Sequence, residues 1–213
     1  MEWREMAQEI RVVKMRAEQI ESAVELLARA FHDQPYGVFY EPDPARRMRL
    51  LREKFSRLVR YCFAYGEPYV AADEPAGVAL WMPPHATPMT SEEVREFGLD
   101  QLPEIFGEAA FARFRPLRDL ISELHERNIK EPHWYLPTLG VEPTRQGSGV
   151  ASALLRPVLA RADSERLPCY LDTAQSRNVP FYRRHGFQIL VEGTEPVSGL
   201  PYWTFRREPR HFP

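Results

Sequence analysis

The succession of hydrophobic patterns along the 213 residues predicts an α/β fold: a mixed central sheet of about seven strands with helices on both faces. Three observations carry this. Segments with a period of two alternate with segments of helical period, and glycines and prolines fall between them. The charge is balanced, with 28 basic against 30 acidic residues, and 44% of the chain is hydrophobic. That makes a globular chain in spite of 20 prolines, because a proline-rich disordered segment lacks apolar residues and carries one dominant charge.

The elements follow in order. Ile10 to Met15 alternates as a short strand does, and Ala17 to Asp33 sets Ile20, Val24, Leu27 and Phe31 at helical spacing. Pro42 and Pro44 open a second helix whose apolar positions Met48, Leu51, Phe55, Leu58 and Cys62 recur until Gly66. Tyr69–Ala72 and Val78–Trp81 read as a hairpin around a turn-forming Asp73–Gly77 cluster. Thr90 to Glu93 has the pattern of a helix start, and a longer amphipathic stretch runs on until Pro132. The last part reads strand (His133 to Val141), helix (Gly147 to Leu167), strand (Pro168 to Thr173) and short helix (Val179 to His185). Two strands, Phe187 to Glu192 and Tyr202 to Arg207, complete it. There is no internal repeat or interior linker, so residues 1–208 read as one domain with a short tail at 209–213. Pro137 belongs at an edge or bulge of its strand, and Pro157 should kink the helix it sits in or remove one backbone bond.

A net charge of -2 argues against nucleic-acid or anionic-membrane partners, which need a basic stripe. Cys62 and Cys169 lie in apolar or strand-like stretches and read as buried free thiols of a reducing compartment. The N-terminus has no secretory pattern and no segment approaches the length of a membrane span, so the expected location is cytoplasmic. Exposed strand edges leave a homodimer open, and no cluster of metal ligands stands out.

The stretch from Leu139 to Leu155 carries the chemistry. A strand ends at Val141, a turn of small residues follows, and a helix begins between Gly147 and Val150. The first N–H groups of a helix lack internal partners and sit at its positive end, so this turn is an anion cradle. Gly147 and Gly149 permit close backbone approach, and Ser148 offers a hydroxyl. The lysine of a P-loop is missing, and so is the third glycine of a dinucleotide fingerprint.

Gln146-Gly-Ser-Gly149-Val-Ala151 resembles the Gln/Arg-x-x-Gly-x-Gly/Ala cofactor motif of the GNAT acyltransferase superfamily. Its downstream signature is matched by Asn178-Val-Pro-Phe-Tyr182 followed by Gly186-Phe187. Within the superfamily, Val78–Trp81, Glu131–Leu136, Leu139–Val141 and Asn178–Tyr182 look like the puromycin N-acetyltransferases and their relatives. The resemblance covers the chain from about Ile10 to Arg207. It implies a GNAT-like sheet splayed at the strand ending at Val141, and acetyl-CoA as cofactor. It also implies an N-acetyltransferase that passes the acetyl group directly to a small-molecule primary amine.

Carried onto these residues, it places the coenzyme A pyrophosphate on the amides from Gln146 through Gly147, Ser148, Gly149 and Val150 to Ala151, with Ser152 beside them. The pantetheine arm pairs with the open strand edge at Leu139, Gly140 and Val141, Asn178 contacts the arm, and Tyr182 is the general acid for the thiolate. Read on residues alone, without the flanking motif, the favoured readings are Asn178 as an N-cap ahead of Pro180 and Tyr182 as one more half-buried aromatic. The glutamate that many relatives carry on the strand before the cofactor loop is missing, and Asp172, at the end of the following strand, is the candidate base. That missing glutamate also motivates a second reading, a catalytically silent acyl-CoA-binding sensor. For the acceptor, the aromatic-rich segment with Phe31, Tyr36 and Tyr40, together with Trp81, suits an apolar or aromatic amine, and each of these rings taken singly reads equally as core.

Overall fold

The structure, a computed structural model, describes residues 10–71, 75–86 and 89–210. The first half runs β1 (Val12–Lys14), α1 (Ile20–His32), α2 (Pro35–Tyr40), α3 (Pro44–Tyr65), β2 (Glu67–Ala71) and β3 (Gly77–Met82), then α4 (Ser91–Glu96), α5 (Leu102–Phe106) and α6 (Glu108–Asn128). The second half runs β4 (Trp134–Val141), α7 (Val150–Glu165), β5 (Cys169–Thr173), α8 (Val179–Arg184), β6 (Gln188–Thr194) and β7 (Pro201–Arg207). Ala72 and the turn residues Asp73 and Glu74 lie outside the described residues, as do the N-terminal residues 1–9 and most of the expected tail, 211–213.

Local chemistry sets the helix boundaries. The Asp43 carboxylate accepts the Arg46 N–H at 2.6 Å, Pro44 takes the first position of α3, and Gly66 ends it. Thr90 and Glu93 form a reciprocal capping box at the start of α4. The expected long helical middle divides into α4, α5 and α6, with Gly107, at φ 72°, breaking the chain before α6. Two features went unread in the sequence: α2, six residues long and so too short for a periodic signal, and Pro116 inside α6. Helix α7 runs unbroken through Pro157, which has no N–H to give the Ala153 carbonyl.

Seven strands form one mixed sheet in the order β1-β2-β3-β4-β5-β7-β6. Among the described residues only β4 and β5 pair in parallel, joined by the crossover helix α7. One face packs on α1, α3, α5 and α6 through residues such as Leu27, Phe55, Leu80, Phe106 and Phe114. The other packs on α7 through Trp81, Trp134, Leu154 and Val158. The alternation along β3 divides its side chains cleanly: Val78, Leu80 and Met82 face the first layer, Ala79 and Trp81 the second.

The decisive irregularity lies in β4. It pairs with β5 at Trp134, Tyr135 and Leu136, and the ladder then stops. On its other side it stays paired with β3 from Thr138 to Val141, with a register shift opposite Leu80 and Met82. Pro137 is the first residue past the last β5 pair and lies within the bulged stretch, so its missing N–H interrupts neither ladder. From there to Val141, one edge of β4 is open, which is the expected splay.

Candidate active site

Two cavities open on either side of this splay. The first is lined by Leu139, Gly140 and Val141 of β4, by Arg145, Gln146, Gly147 and Gly149 of the turn, by Val150, Ala151 and Ser152 of α7, and by Asn178, Phe181 and Tyr182. Gly147 and Gly149 have φ of 80° and 88°, a left-handed backbone that glycine adopts without strain. Gly149 caps α7, so the free N–H groups of its first turn face the cavity. Gly140 is fixed by a close approach, since a Cβ there would lie 2.5 Å from Leu27 Cδ2 of α1.

Side chains in the turn are committed in part to holding its shape. The Gln146 amide donates to the Val141 carbonyl at 3.3 Å, tying the turn to the strand end. The Ser148 hydroxyl donates to the Arg145 carbonyl at 2.6 Å, and Ser148 is not among the residues lining the cavity. Ser152 shares a 3.0 Å hydrogen bond with His185 Nε2. Arg145, Arg177 and Arg184 also line this cavity, and none of them forms an ion pair among the described residues. Sequence reasoning missed this cationic rim, although Arg145 stands inside the turn and Arg177 beside Asn178.

The second cavity, of about 920 Å³, lies between the sheet and the α3–α6 layer. Phe31, Gln34, Leu139, Asn178 and Tyr182 line both cavities, so the two meet at Tyr182. Asp172, at the end of β5, faces this second cavity and accepts a hydrogen bond from the Tyr135 hydroxyl at 3.1 Å. Burial pushes the Asp172 carboxyl up to about 6, opposed by the Tyr135 hydroxyl and the positive charge of Lys54. Burial, and then the negative charge of Asp172, raise the Tyr182 phenol well above its ordinary value. A carboxylate tuned to about 6 suits a base at neutral pH, and a phenol held protonated suits an acid. The Tyr182 ring is wedged among Phe181, Phe187 and Phe205, and no described residue takes its hydroxyl in a hydrogen bond. The Asn178 side chain makes no cap bond and instead donates to Thr173 Oγ1 at 3.2 Å.

Of the rings expected around an acceptor, Phe31 and Tyr36 line the second cavity, and the Tyr36 hydroxyl donates to the Phe114 carbonyl. Tyr40 and Trp81 are corrected. Tyr40 is buried beneath Tyr36, Phe106 and Phe114, and its ring lines neither cavity. Trp81 points into the α7 layer because the alternation of β3 sends it to the opposite face. Lys54 of α3, unremarked in the sequence, lines the same cavity as Asp172.

Comparison with known proteins bears on the family and the fold. A family model, Acetyltransferase (GNAT) family, matches residues 25–187. An uncharacterized N-acetyltransferase of Schizosaccharomyces pombe is 27% identical over 204 residues, covering 92% of this chain and 82% of its own. A solved structure from Corynebacterium glutamicum, a histone acetyltransferase HPA2 and related acetyltransferase, is 29% identical with a TM-score of 0.69, covering 95% of this chain and 98% of that one. A mosquito arylalkylamine N-acetyltransferase like 5b shares the fold at 16% identity and a TM-score of 0.59, covering 93% and 99%. The matched stretch takes in the splayed strand, the glycine turn and α8, and the chain belongs to the GNAT acetyltransferase family.

Proposed function

We propose that this chain is an acetyl-CoA-dependent N-acetyltransferase that acts on a small-molecule primary amine by direct transfer. The observation that carries the reading is the junction of the two cavities at Tyr182, with a glycine-built anion cradle on one side and a buried carboxylate on the other. The cradle fits coenzyme A: two left-handed glycines, the free N–H groups of α7 and three arginines without an ion pair among the described residues suit a pyrophosphate. The open edge of β4 suits an amide-bearing arm.

Acetyl-CoA, when bound, supplies an activated acyl carbonyl and a thiolate leaving group. The rest is work for the chain's own residues. Asp172 accepts the proton of the acceptor ammonium, since only the neutral amine is a nucleophile. Tyr135 orients the carboxylate through its 3.1 Å hydrogen bond. Tyr182 holds a proton at its phenolic oxygen, ready for the leaving sulfur. Leu139 and Asn178, which line both cavities, flank the point of transfer. Asp172 stands in for the glutamate missing from the preceding strand, which weakens the case for a silent binding module.

The test is thiol release from acetyl-CoA across an amine library that includes puromycin. Tyr182→Phe should lower turnover by about 10²-fold or more while CoA still binds. Full turnover by this variant at every pH would remove the general-acid role, and tight CoA binding with no amine acetylated would favour the sensor.

A further inference from the structure

We infer that Lys54 reads a carboxylate on the acceptor, so that the substrate is an apolar or aromatic amino acid with its amino group toward Asp172 and Tyr182. The inference rests on the acetyl-transfer reading and names the substrate class for that same site.

The argument begins with the charges inside the cavity. Arg118, Glu126, Lys130 and Glu131 line it but are exposed, so they belong to its rim. Arg118 is occupied by Asp119 at 2.6 Å, and Glu131 by Arg206 at 2.5 Å. His125 and His133 spend their Nε2 atoms on each other at 2.7 Å, and burial lowers both below the ordinary imidazole range, so neither brings a charge at neutral pH. Lys54 and Asp172 remain as the charged groups of the interior.

Lys54 has no hydrogen bond and no ion pair among the described residues. Its ammonium lies 5.2 Å from the Phe55 ring centre and 5.5 Å from that of Phe114. Ring faces offset part of the cost of enclosing a cation but satisfy none of its three donors. Asp172 attracts it without reaching ion-pair contact, and one Asp172 oxygen is engaged by Tyr135. Lys54 is partly accessible although protein encloses its ammonium, so its free surface opens on the cavity it lines. An enclosed cation with unfilled donors is costly until an anionic or strongly accepting group arrives.

The cavity thus presents a carboxylate at the transfer point and an unsatisfied ammonium set apart from it, with apolar walls from Phe55, Leu58, Met82, Phe114, Leu117 and Ile121. A zwitterion with an apolar side chain complements all three. A simple arylalkylamine fills the walls and meets Asp172 but leaves Lys54 as it is.

The experiment compares phenylalanine, leucine and tryptophan with their amides and decarboxylated amines as acceptors, in the wild-type chain, Lys54→Met and Lys54→Arg. At least one amino acid should show a kcat/KM at least tenfold above that of its decarboxylated amine. Lys54→Met should cut that ratio at least tenfold, mainly through KM, and Lys54→Arg should keep most of it. Binding of CoA and of the N-acetylated panel is measured by calorimetry in parallel, with melting curves to check folding. Wild-type chain that prefers the decarboxylated amine throughout, or a ratio unmoved in folded Lys54→Met, overturns the inference. If CoA binds but no amine is turned over, the acetyl-transfer reading fails by itself. Binding of the N-acetylated acids then decides Lys54: tenfold tighter than the N-acetylated amines and lost in Lys54→Met supports it, and equal binding overturns it.

Discussion

Tyr135 and Asp172 meet across the gap that opens where β4 and β5 part: the Tyr135 hydroxyl donates to the Asp172 carboxylate at 3.1 Å, one residue beyond the last paired position of β5. Tyr135 lies inside the ladder, opposite Tyr170, and is held rigid by the pairing, whereas Asp172 projects past it. Each strand stays paired on its outer side, β4 with β3 and β5 with β7, where Asp172 lies opposite Thr204, and the Tyr135 hydroxyl reaches across the gap to orient the carboxylate of the candidate base without help from a loop.

Removing that hydrogen bond has a definite sign. The Tyr135 hydroxyl lowers the Asp172 carboxyl, which sits at about 6, so Tyr135→Phe raises it further. The acid limb of the kcat/KM profile, expected near pH 6 in the wild-type chain, should move to higher pH. Activity should fall several-fold near pH 6.5 and recover in large part near pH 8.5. A rate loss of equal size at every pH would show that Tyr135 acts by packing and not through the carboxylate.

Asp172 should also be a site where function costs stability. Its folded value of about 6 lies above the ordinary carboxylate value, so the folded chain binds this proton more tightly than the unfolded chain does. Its contribution is therefore most favourable below pH 4 and is lost as pH rises through about 6. Two units correspond to at most about 3 kcal/mol. Asp172→Asn should lose about 10²-fold or more in turnover, while its melting temperature relative to wild type climbs between pH 4 and pH 7. A constant offset over that range would mean that the carboxyl is not raised.

Much of this could be read before any coordinates. The seven strands and the α7 crossover follow from hydrophobic period and punctuation, and Pro137 marks the splay because a residue without an N–H suits a place where the ladder stops. The glycine turn was legible because left-handed backbone demands a particular residue. The acceptor cavity was legible only in part. Its wall comes from α1, α3, α6, β4 and β5, and no local pattern says which side of a helix faces which strand. Lys54 therefore passed as one more charge on α3, and Trp81 as a pocket residue, although counting by twos from the neighbouring Leu80 and Met82 would have sent it to the other face.

Gly147 separates backbone demand from ligand contact. A Cβ there meets nothing within 4 Å, so the effect of Gly147→Ala on folding is conformational, about 1–2 kcal/mol for an alanine at φ 80°. Asparagine tolerates this region better, so Gly147→Asn should recover part of that stability. Both variants put side-chain atoms at the mouth of the cradle, and both should weaken CoA binding at least tenfold by calorimetry. Recovery of CoA affinity in step with stability in the asparagine variant would show that only the fold of the turn matters there.

The three arginines make the last prediction, and salt is its lever. Arg145, Arg177 and Arg184 line the cradle and, among the described residues, none is neutralised by a carboxylate, so each is free to meet a phosphate. All three are exposed, so they act through solvent and are screened over a Debye length of about 8 Å at physiological ionic strength. The amides of the first turn of α7 belong to Val150, which is buried, and to Ala151 and Ser152, which are half-buried, so they are less open to screening than the exposed arginines. Replacing each arginine by glutamine should therefore weaken CoA binding several-fold at low salt, with the loss shrinking toward nothing near 1 M. Gly147→Ala should weaken it by the same factor at both. If the arginine variants lose the same factor at high salt as at low, these side chains make direct contacts in place of a diffuse field, and the cradle must close around the phosphates more tightly than its exposed rim suggests.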